Sequence, residues 1–305
     1  MRVGIIGGGM AGLAAAYELT KQGHFAEVFE VAPFLGGQAS TFEVHGGQLE
    51  RGYHHLFISD TSITELIHEL GLGDKLEWLQ SSVGFYHGGK VWDFASPKDL
   101  LLFKPLPLLD RIRVGLWTFI LQKTKSYQRF EGVTAAAWLT SHMGKKGYEV
   151  IWEPLLRGKF GEYHDQISMS WLWNKFALRT ASRGKGLIGR FKEQLAYPIG
   201  SFGEVFDVLT ERIQSQGGSV HINAAVRRTI VEGGRCVGLE VGVGGGEPGV
   251  RRFDMVLATV PSYVMPHVAS DLPESYVAKL TDKTYLAAVL VILVLDCPLV
   301  KHPKT

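Results

Sequence analysis

The rhythm of hydrophobic and polar positions changes several times along the chain, and each change predicts an element. Arg2 to Gly7 (RVGIIG) is a short β-branched run of the kind that forms a buried strand. Gly8 to Gly12 reads as a tight turn. Leu13 to Gln22 has helical composition with Gly23 as its stop, and Ala26 to Glu30 reads as a second strand. Strand, glycine turn, helix and strand in this order make one βαβ unit. The alternation then lapses, because Ala32 to Gly52 is glycine-rich and reads as mostly irregular. Beyond it, Thr61 to Leu70 places Ile63, Leu66, Ile67 and Leu70 on one helical face. Ser82 to Trp92 reads as a hairpin around Gly88-Gly89. Pro97 to Lys123, Val133 to His142, Tyr148 to Leu155 and Ser168 to Ala177 read as helices. Phe202 to Gln216 is predicted as a helix closed by Gly217-Gly218, and Ser219 to Ile222 as a strand. Val226 to Val231, Arg235 to Val241 and Val250 to Phe253 form a β-meander split by glycine pairs. Asp254 to Val260 reads as a buried strand stopped by Pro261, and Thr284 to Asp296 as a last long strand.

This order predicts an α/β fold: a Rossmann-like nucleotide-binding domain with an inserted, mostly helical domain and a β-meander. The nucleotide domain is expected over 1–58 and 195–283. The second domain is expected over 59–194 and 284–305, with all seven Trp between 60 and 190. Composition narrows the class. With 305 residues, 46% hydrophobic and 20% charged, the chain is not intrinsically disordered. A net charge of +2 creates no global field for nucleic acid or an anionic membrane. Cys236 and Cys297 make neither a disulfide framework nor a zinc site of the usual spacing, so no metal is expected. Two free thiols fit a reducing compartment, and MRVGIIGGGMAG lacks the pattern of a signal peptide. The longest uncharged apolar stretch, Thr284 to Leu295, is too short for a membrane span. The expected location is cytoplasmic. Leu106 to Lys125 is apolar with basic flanks, which suits either a hydrophobic core or a membrane interface.

Gly7-Gly8-Gly9-Met10-Ala11-Gly12 fits G-x-G-x-x-G, after a strand and at the start of a helix. In that setting Gly7 permits the turn, Gly9 lets backbone approach a diphosphate, and Gly12 lets helix and sheet pack closely. The N–H groups of Met10 and Ala11 belong to the helix N-terminus that faces the diphosphate. Glu30 ends the second strand, where this fold sets an acid on a ribose hydroxyl.

The next stretch, Ala32-Pro33-Phe34-Leu35-Gly36-Gly37-Gln38-Ala39-Ser40-Thr41, resembles the second FAD motif of the amine oxidase, phytoene desaturase and protoporphyrinogen oxidase superfamily. By that resemblance Gly36 and Gly37 bring backbone to the FAD diphosphate. Gln38 stands where the family carries a base; it keeps a hydrogen-bond donor and lacks the charge. Gly47 to Phe57 (GQLERGYHHLF) is similar to the stretch along the flavin ring, which makes His54 and His55 the catalytic candidates. In extended backbone adjacent side chains point to opposite faces, so at most one of the pair faces the ring. Tyr197 to Ser201 resembles the re-entry into the FAD domain, Asn223 to Val226 the strand whose Val backbone meets the adenine, and Asp254 to Pro261 the D-x-V-V-x-A-x-P strand.

The resemblance covers about 1–57 and 195–300 and implies a non-covalent FAD and a small-molecule substrate. The implied reaction is hydride transfer from an apolar substrate to the flavin. The family's C-terminal Gly-Asp strand has no counterpart, since Gly73-Asp74 closes an amphipathic helix. The expectation is therefore a C-terminally shortened chain with an exposed sheet edge. Two rival readings stand beside it. One is a non-redox isomerase resembling UDP-galactopyranose mutase, whose flavin-side stretch is similar to Gly52 to Phe57. The other is an FAD-binding remnant without activity. Elsewhere, Trp171 and Trp173 with Tyr163 suit a substrate channel or core packing. Arg157, Lys159 and His164 suit an anionic substrate or a solvated loop. Tyr86 and His87 suit a flavin contact or turn flanks.

Overall fold

The computed structural model describes residues 1–81, 83–181 and 194–297. β1 (Arg2–Ile6) leads through the glycine turn into α1 (Met10–Lys21) and back to β2 (Phe25–Phe29). β3 (Thr41–Val44) and β4 (Gly47–Glu50) then pair antiparallel. Their turn holds His45 and Gly46, both at positive φ (49° and 75°), which matches the right-handed twist of hairpin strands. This hairpin occupies the stretch read as irregular. Its side chains are mostly half-buried or exposed, so the alternation shows little hydrophobic contrast.

β5 (Leu56–Phe57), α2 (Thr61–Glu69), β6 (Leu76–Gln80), β7 (Gly84–His87) and β8 (Lys90–Asp93) follow. The hairpin predicted from Ser82 is β7–β8; Ser82 itself lies outside the described residues. The predicted helix from Pro97 to Lys123 is two helices, α3 (Pro97–Leu102) and α4 (Leu108–Lys123). Pro105 and Pro107 break it, since proline cannot donate to the preceding turn. Ser96 and Asp99 close a reciprocal capping box at the start of α3. α5 (Ala135–Met143), the short α6 (Lys145–Gly147), a π-helical turn at Tyr148–Trp152, α7 (Glu153–Phe160) and α8 (Met169–Ala181) complete the helical stretch. β9 (Gln194–Pro198), α9 (Phe202–Ser215), β10 (Ser219–His221), β11 (Ala224–Glu232), β12 (Arg235–Val243) and β13 (Gly249–Arg252) come next. β14 (Met255–Ala258), α10 (Met265–Val268) and α11 (Glu274–Thr281) end the described elements.

The chain divides into two compact units. One holds Met1–His54 and the chain from Gly200 onward, including 284–297; the other is His55–Ile199. The first unit is built on a parallel sheet of order β10-β2-β1-β14. Val3, Ile5, Ala26, Val28 and Phe29 are buried, as parallel strands covered on both faces require. The meander β11-β12-β13 is antiparallel, as its glycine-split pattern predicts. Phe29, Leu239, Val241 and Phe253 share one core between the parallel sheet and the meander. Glu27, 2% exposed, joins them by charge. It accepts from Arg251 Nη1 at 2.9 Å and meets His221 Nε2 at 3.1 Å and Arg2 Nη2 at 3.9 Å.

One predicted element is corrected. Thr284 to Asp296 forms no strand; it is extended without a ladder partner among the described residues, and Val289, Val291 and Leu293 are exposed. A strand exists only through its neighbour's hydrogen bonds, and β-branched composition alone does not supply one.

The second unit carries an antiparallel sheet of order β5-β9-β6 and a helical core around Phe103, Leu106, Leu121, Leu139, Ile151 and Met169. Trp171 packs edge-on to Phe160 at 4.8 Å, and Trp173 Nε1 donates to the Thr124 carbonyl at 3.2 Å. Both pack against that core. Arg157 and His164 both meet Glu153, at 2.9 and 4.0 Å, so the Arg157 charge is answered locally.

Candidate dinucleotide site

The glycine turn sits at the carboxyl end of β1, and every contact that shapes it comes from the first unit. Gly7 N donates to Phe29 O at 2.9 Å, and Gly7 has φ 108°, a conformation that favours glycine. A Cβ at Gly8 would stand 2.7 Å from Leu35 Cδ2 and 2.9 Å from Glu30 Cβ. A Cβ at Gly12 would collide with the Gly7 carbonyl oxygen. At Gly9 the situation is different. Its φ is an ordinary −75°, and an added Cβ would meet only Gly37, at 3.8 Å. Nothing in the protein itself requires glycine there.

Two further segments close around the turn. Gly36 N donates to Gly8 O at 2.9 Å, and Gly9 and Gly36 form an isolated parallel bridge. Gly36 has φ 100°, and a Cβ there would strike the Phe206 ring on α9. Gly37 follows at φ 58°. Gln38 is exposed in the short turn after Gly37, with no carboxylate or carbonyl partner among the described residues. Nearby Arg51 stacks its guanidinium 4.3 Å over the Phe34 ring, and its backbone N–H donates to Ser40 O at 2.9 Å.

Glu30 is fixed on all sides. Its Oε2 accepts from Gly8 N at 2.7 Å and its Oε1 from Ala32 N at 2.8 Å. Its own N–H donates to His221 O, and its carbonyl accepts from Ala224 N, both at 2.8 Å. Each carboxylate oxygen has a second lone pair beyond these bonds. Ala224 opens β11, which carries Val226, half-buried and paired with Val241. The turn, Glu30, Gly36-Gly37 and the start of β11 are thus brought together. Thr259, which the motif reading did not single out, holds the turn from the other side. Its hydroxyl faces the carbonyl oxygens of Ile6 and Gly7 at 3.0 and 3.2 Å. Its signal was its place just past the DMVLA run that forms β14.

His54 and His55 part company. His54 lies in the first unit, with Nδ1 2.6 Å from Gly52 O and its ring edge-on to Phe202 at 6.3 Å. His55 belongs to the second unit and packs on Phe57 and Tyr197. Tyr86 and His87 are exposed on the β7–β8 hairpin.

The donor set fits a dinucleotide. The first N–H groups of α1 have no intrahelical partner, the helix dipole is positive there, and the Gly9–Gly37 face is a cradle that a side chain would fill.

Comparison with known proteins agrees. The family model described as flavin containing amine oxidoreductase matches residues 10–304. A probable zeta-carotene desaturase of Synechococcus elongatus is 27% identical over 254 residues, covering 74% of this chain and 51% of that protein. Mitochondrial protoporphyrinogen oxidase of Nicotiana tabacum is 28% identical over 181 residues, 57% of this chain and 36% of that one. The chain spans about half the length, or less, of these curated relatives. Among solved structures, an oxidoreductase from Methanosarcina mazei superposes with a TM-score of 0.68 at 19% identity, over 92% of this chain and 64% of that one. That likeness establishes the shared fold.

Proposed function

Because the chain belongs to the family of flavin-containing amine oxidoreductases, we propose that it holds FAD non-covalently and serves the oxidation of a small apolar molecule by hydride removal. The observation that carries this reading is the cradle at Gly9, where an added Cβ would meet only Gly37 at 3.8 Å and the protein keeps glycine without needing it for its own packing. When bound, FAD supplies the acceptor for the hydride. The N–H groups at the start of α1 hold the diphosphate, and Gly36 and Gly37 let backbone approach it. Glu30 accepts from the ribose hydroxyls on the lone pairs that Gly8 and Ala32 leave open. Gln38 donates an uncharged hydrogen bond. The main chain at Val226 would hold the adenine. His54 is the candidate for holding a proton. Its Nδ1–H donates to Gly52 O, so in the neutral ring Nε2 is left as the acceptor.

Desaturation is the favoured reaction type. The S. elongatus relative is named for zeta-carotene, an apolar polyene. The second unit also presents an apolar ridge on α4, and we place the chain in the cytoplasm with this ridge against a membrane surface, where such a substrate resides.

An absorbance spectrum of the purified chain, followed by one of the heat-released supernatant, tests the cofactor. Flavin bands that release as FAD are expected. A folded, colourless chain that takes up no FAD on incubation overturns the reading.

A further inference from the structure

Helix α4 is turned inside out along half its circumference. Val114 and Leu121 are buried in the second unit, yet Leu108, Leu109, Ile112, Leu116, Phe119 and Ile120 are exposed, Leu109 at 81%. At the 3.6-residue period these six fall on one face. No helix among the described residues is long and apolar enough to cross a membrane. The geometry is that of a helix lying in an interface rather than through it.

The charge around this face is lopsided. Residues 104–129 hold six Lys or Arg and one Asp, a net +5 in a chain whose total is +2. Two of the cations are structural. Arg111 donates to the carbonyls of Leu106 and Leu101, and Arg113 to those of His142 and Ser141. The others stand free of carboxylates among the described residues. Lys104 is exposed before the start of the ridge. At the other end Lys123, Lys125 and Arg129 line an open recess of about 450 Å³ with Phe119 and Ile120. Lys123 lies 5.6 Å over the Phe119 ring, so the charge sits directly against the apolar ridge. Only Lys123 belongs to the last turn of α4, where a cation complements the helix dipole; Lys125 and Arg129 lie beyond it.

We infer that the recess of Lys123, Lys125 and Arg129 seats the phosphate of an anionic phospholipid while the α4 ridge lies at the acyl boundary. This deepens the membrane-surface reading above and rests on it. The cluster's charge favours a negatively charged surface over a neutral one, and the adjoining Phe119 and Ile120 favour a lipid. Each juxtamembrane cation strengthens attraction to an anionic leaflet by about fivefold, so three amount to about a hundredfold.

The full chain is to be titrated with vesicles of phosphatidylcholine alone and of an equimolar mixture with phosphatidylserine, read by co-sedimentation at low and high salt. The wild type is expected to bind the mixed vesicles about a hundredfold more tightly, with the preference lost at high salt. The triple variant Lys123→Gln/Lys125→Gln/Arg129→Gln should lose the preference but keep weak binding to phosphatidylcholine. Leu109→Ser/Ile112→Ser/Leu116→Ser should lose binding to both. These positions are exposed, and far-UV circular dichroism confirms that each variant is folded. Equal wild-type binding to both vesicles, or a preference that survives the triple substitution, overturns the headgroup site and leaves the membrane reading standing. Binding to neither vesicle overturns both.

Discussion

A Cβ added at Gly9 meets nothing closer than 3.8 Å, whereas one added at Gly12 collides with the Gly7 carbonyl oxygen. The two glycines therefore fail differently when replaced. Gly9→Ala should melt within about 0.5 kcal/mol of wild type and yet lose at least tenfold in FAD affinity, read by flavin fluorescence. Gly12→Ala should cost about 1–3 kcal/mol of stability before any ligand is added, because helix and turn must move apart. A destabilised Gly9→Ala or an unperturbed Gly12→Ala would contradict the division of labour between them. Glu30 serves two ends at once. Glu30→Ala removes the acceptor from the N–H groups of Gly8 and Ala32, so it should lower stability by about 1–3 kcal/mol as well as weaken FAD binding. Gln38→Arg restores the charge that the family motif carries. It should tighten FAD binding and steepen its salt dependence, and an unchanged titration would place Gln38 away from the diphosphate.

At the scale of elements, α9 crowds three acids on successive turns. Partial desolvation, then Glu211, then Glu204 raise the Asp207 carboxyl, which lies on the exposed side of the helix, above its ordinary value. A raised carboxyl costs the fold most when ionised, so its penalty is present at neutral pH and vanishes as pH falls through the folded and then the unfolded carboxylate range. Asp207→Asn should thus raise Tm at pH 7, with the difference closing in acid; an equal gain at all pH values would point to packing instead. The link between sheet and meander is testable in the same way. Arg251→Met leaves buried Glu27 short of one donor and should cost about 1–3 kcal/mol in a denaturant titration. The elements that the sequence disclosed are those with a strong local pattern: β1, α1, β2, the meander and the run before Pro261, which forms β14 but is exposed at Met255 and Leu257 rather than buried as predicted, because β14 is the edge strand of its sheet. The β3–β4 hairpin escaped because its faces differ little in polarity, although His45-Gly46 carried the turn signal. The sheet of β5, β9 and β6 joins residues far apart in sequence, and no local pattern records such a pairing. The same holds for the site. That Gly7 to Gly12 form a strand-to-helix turn and that Glu30 follows β2 were legible from spacing, whereas the Thr259 clamp arises only from tertiary packing.

For the whole molecule, the stretch from Thr284 to Leu295 leaves a contiguous apolar strip in solvent, with Val289 at 91% exposure. Strips of this kind drive self-association. Val289→Lys/Val291→Lys/Leu293→Lys should lower the apparent mass in sedimentation at high concentration while leaving Tm unchanged, and a fall in Tm would show that the strip is packed after all. The clamp on the glycine turn has a consequence in time. Thr259 and Gly7 stand 252 residues apart in the chain. On a translating ribosome, at about 5–20 residues per second, the turn waits roughly 13 to 50 seconds before its clamp exists. All of His55 to Ile199 is synthesised in that interval and can settle into its own core first. The nascent N-terminal βαβ unit spends that time without β10 and β14 on its flanks, which makes it a natural client for chaperones and exposes its edges to neighbouring chains.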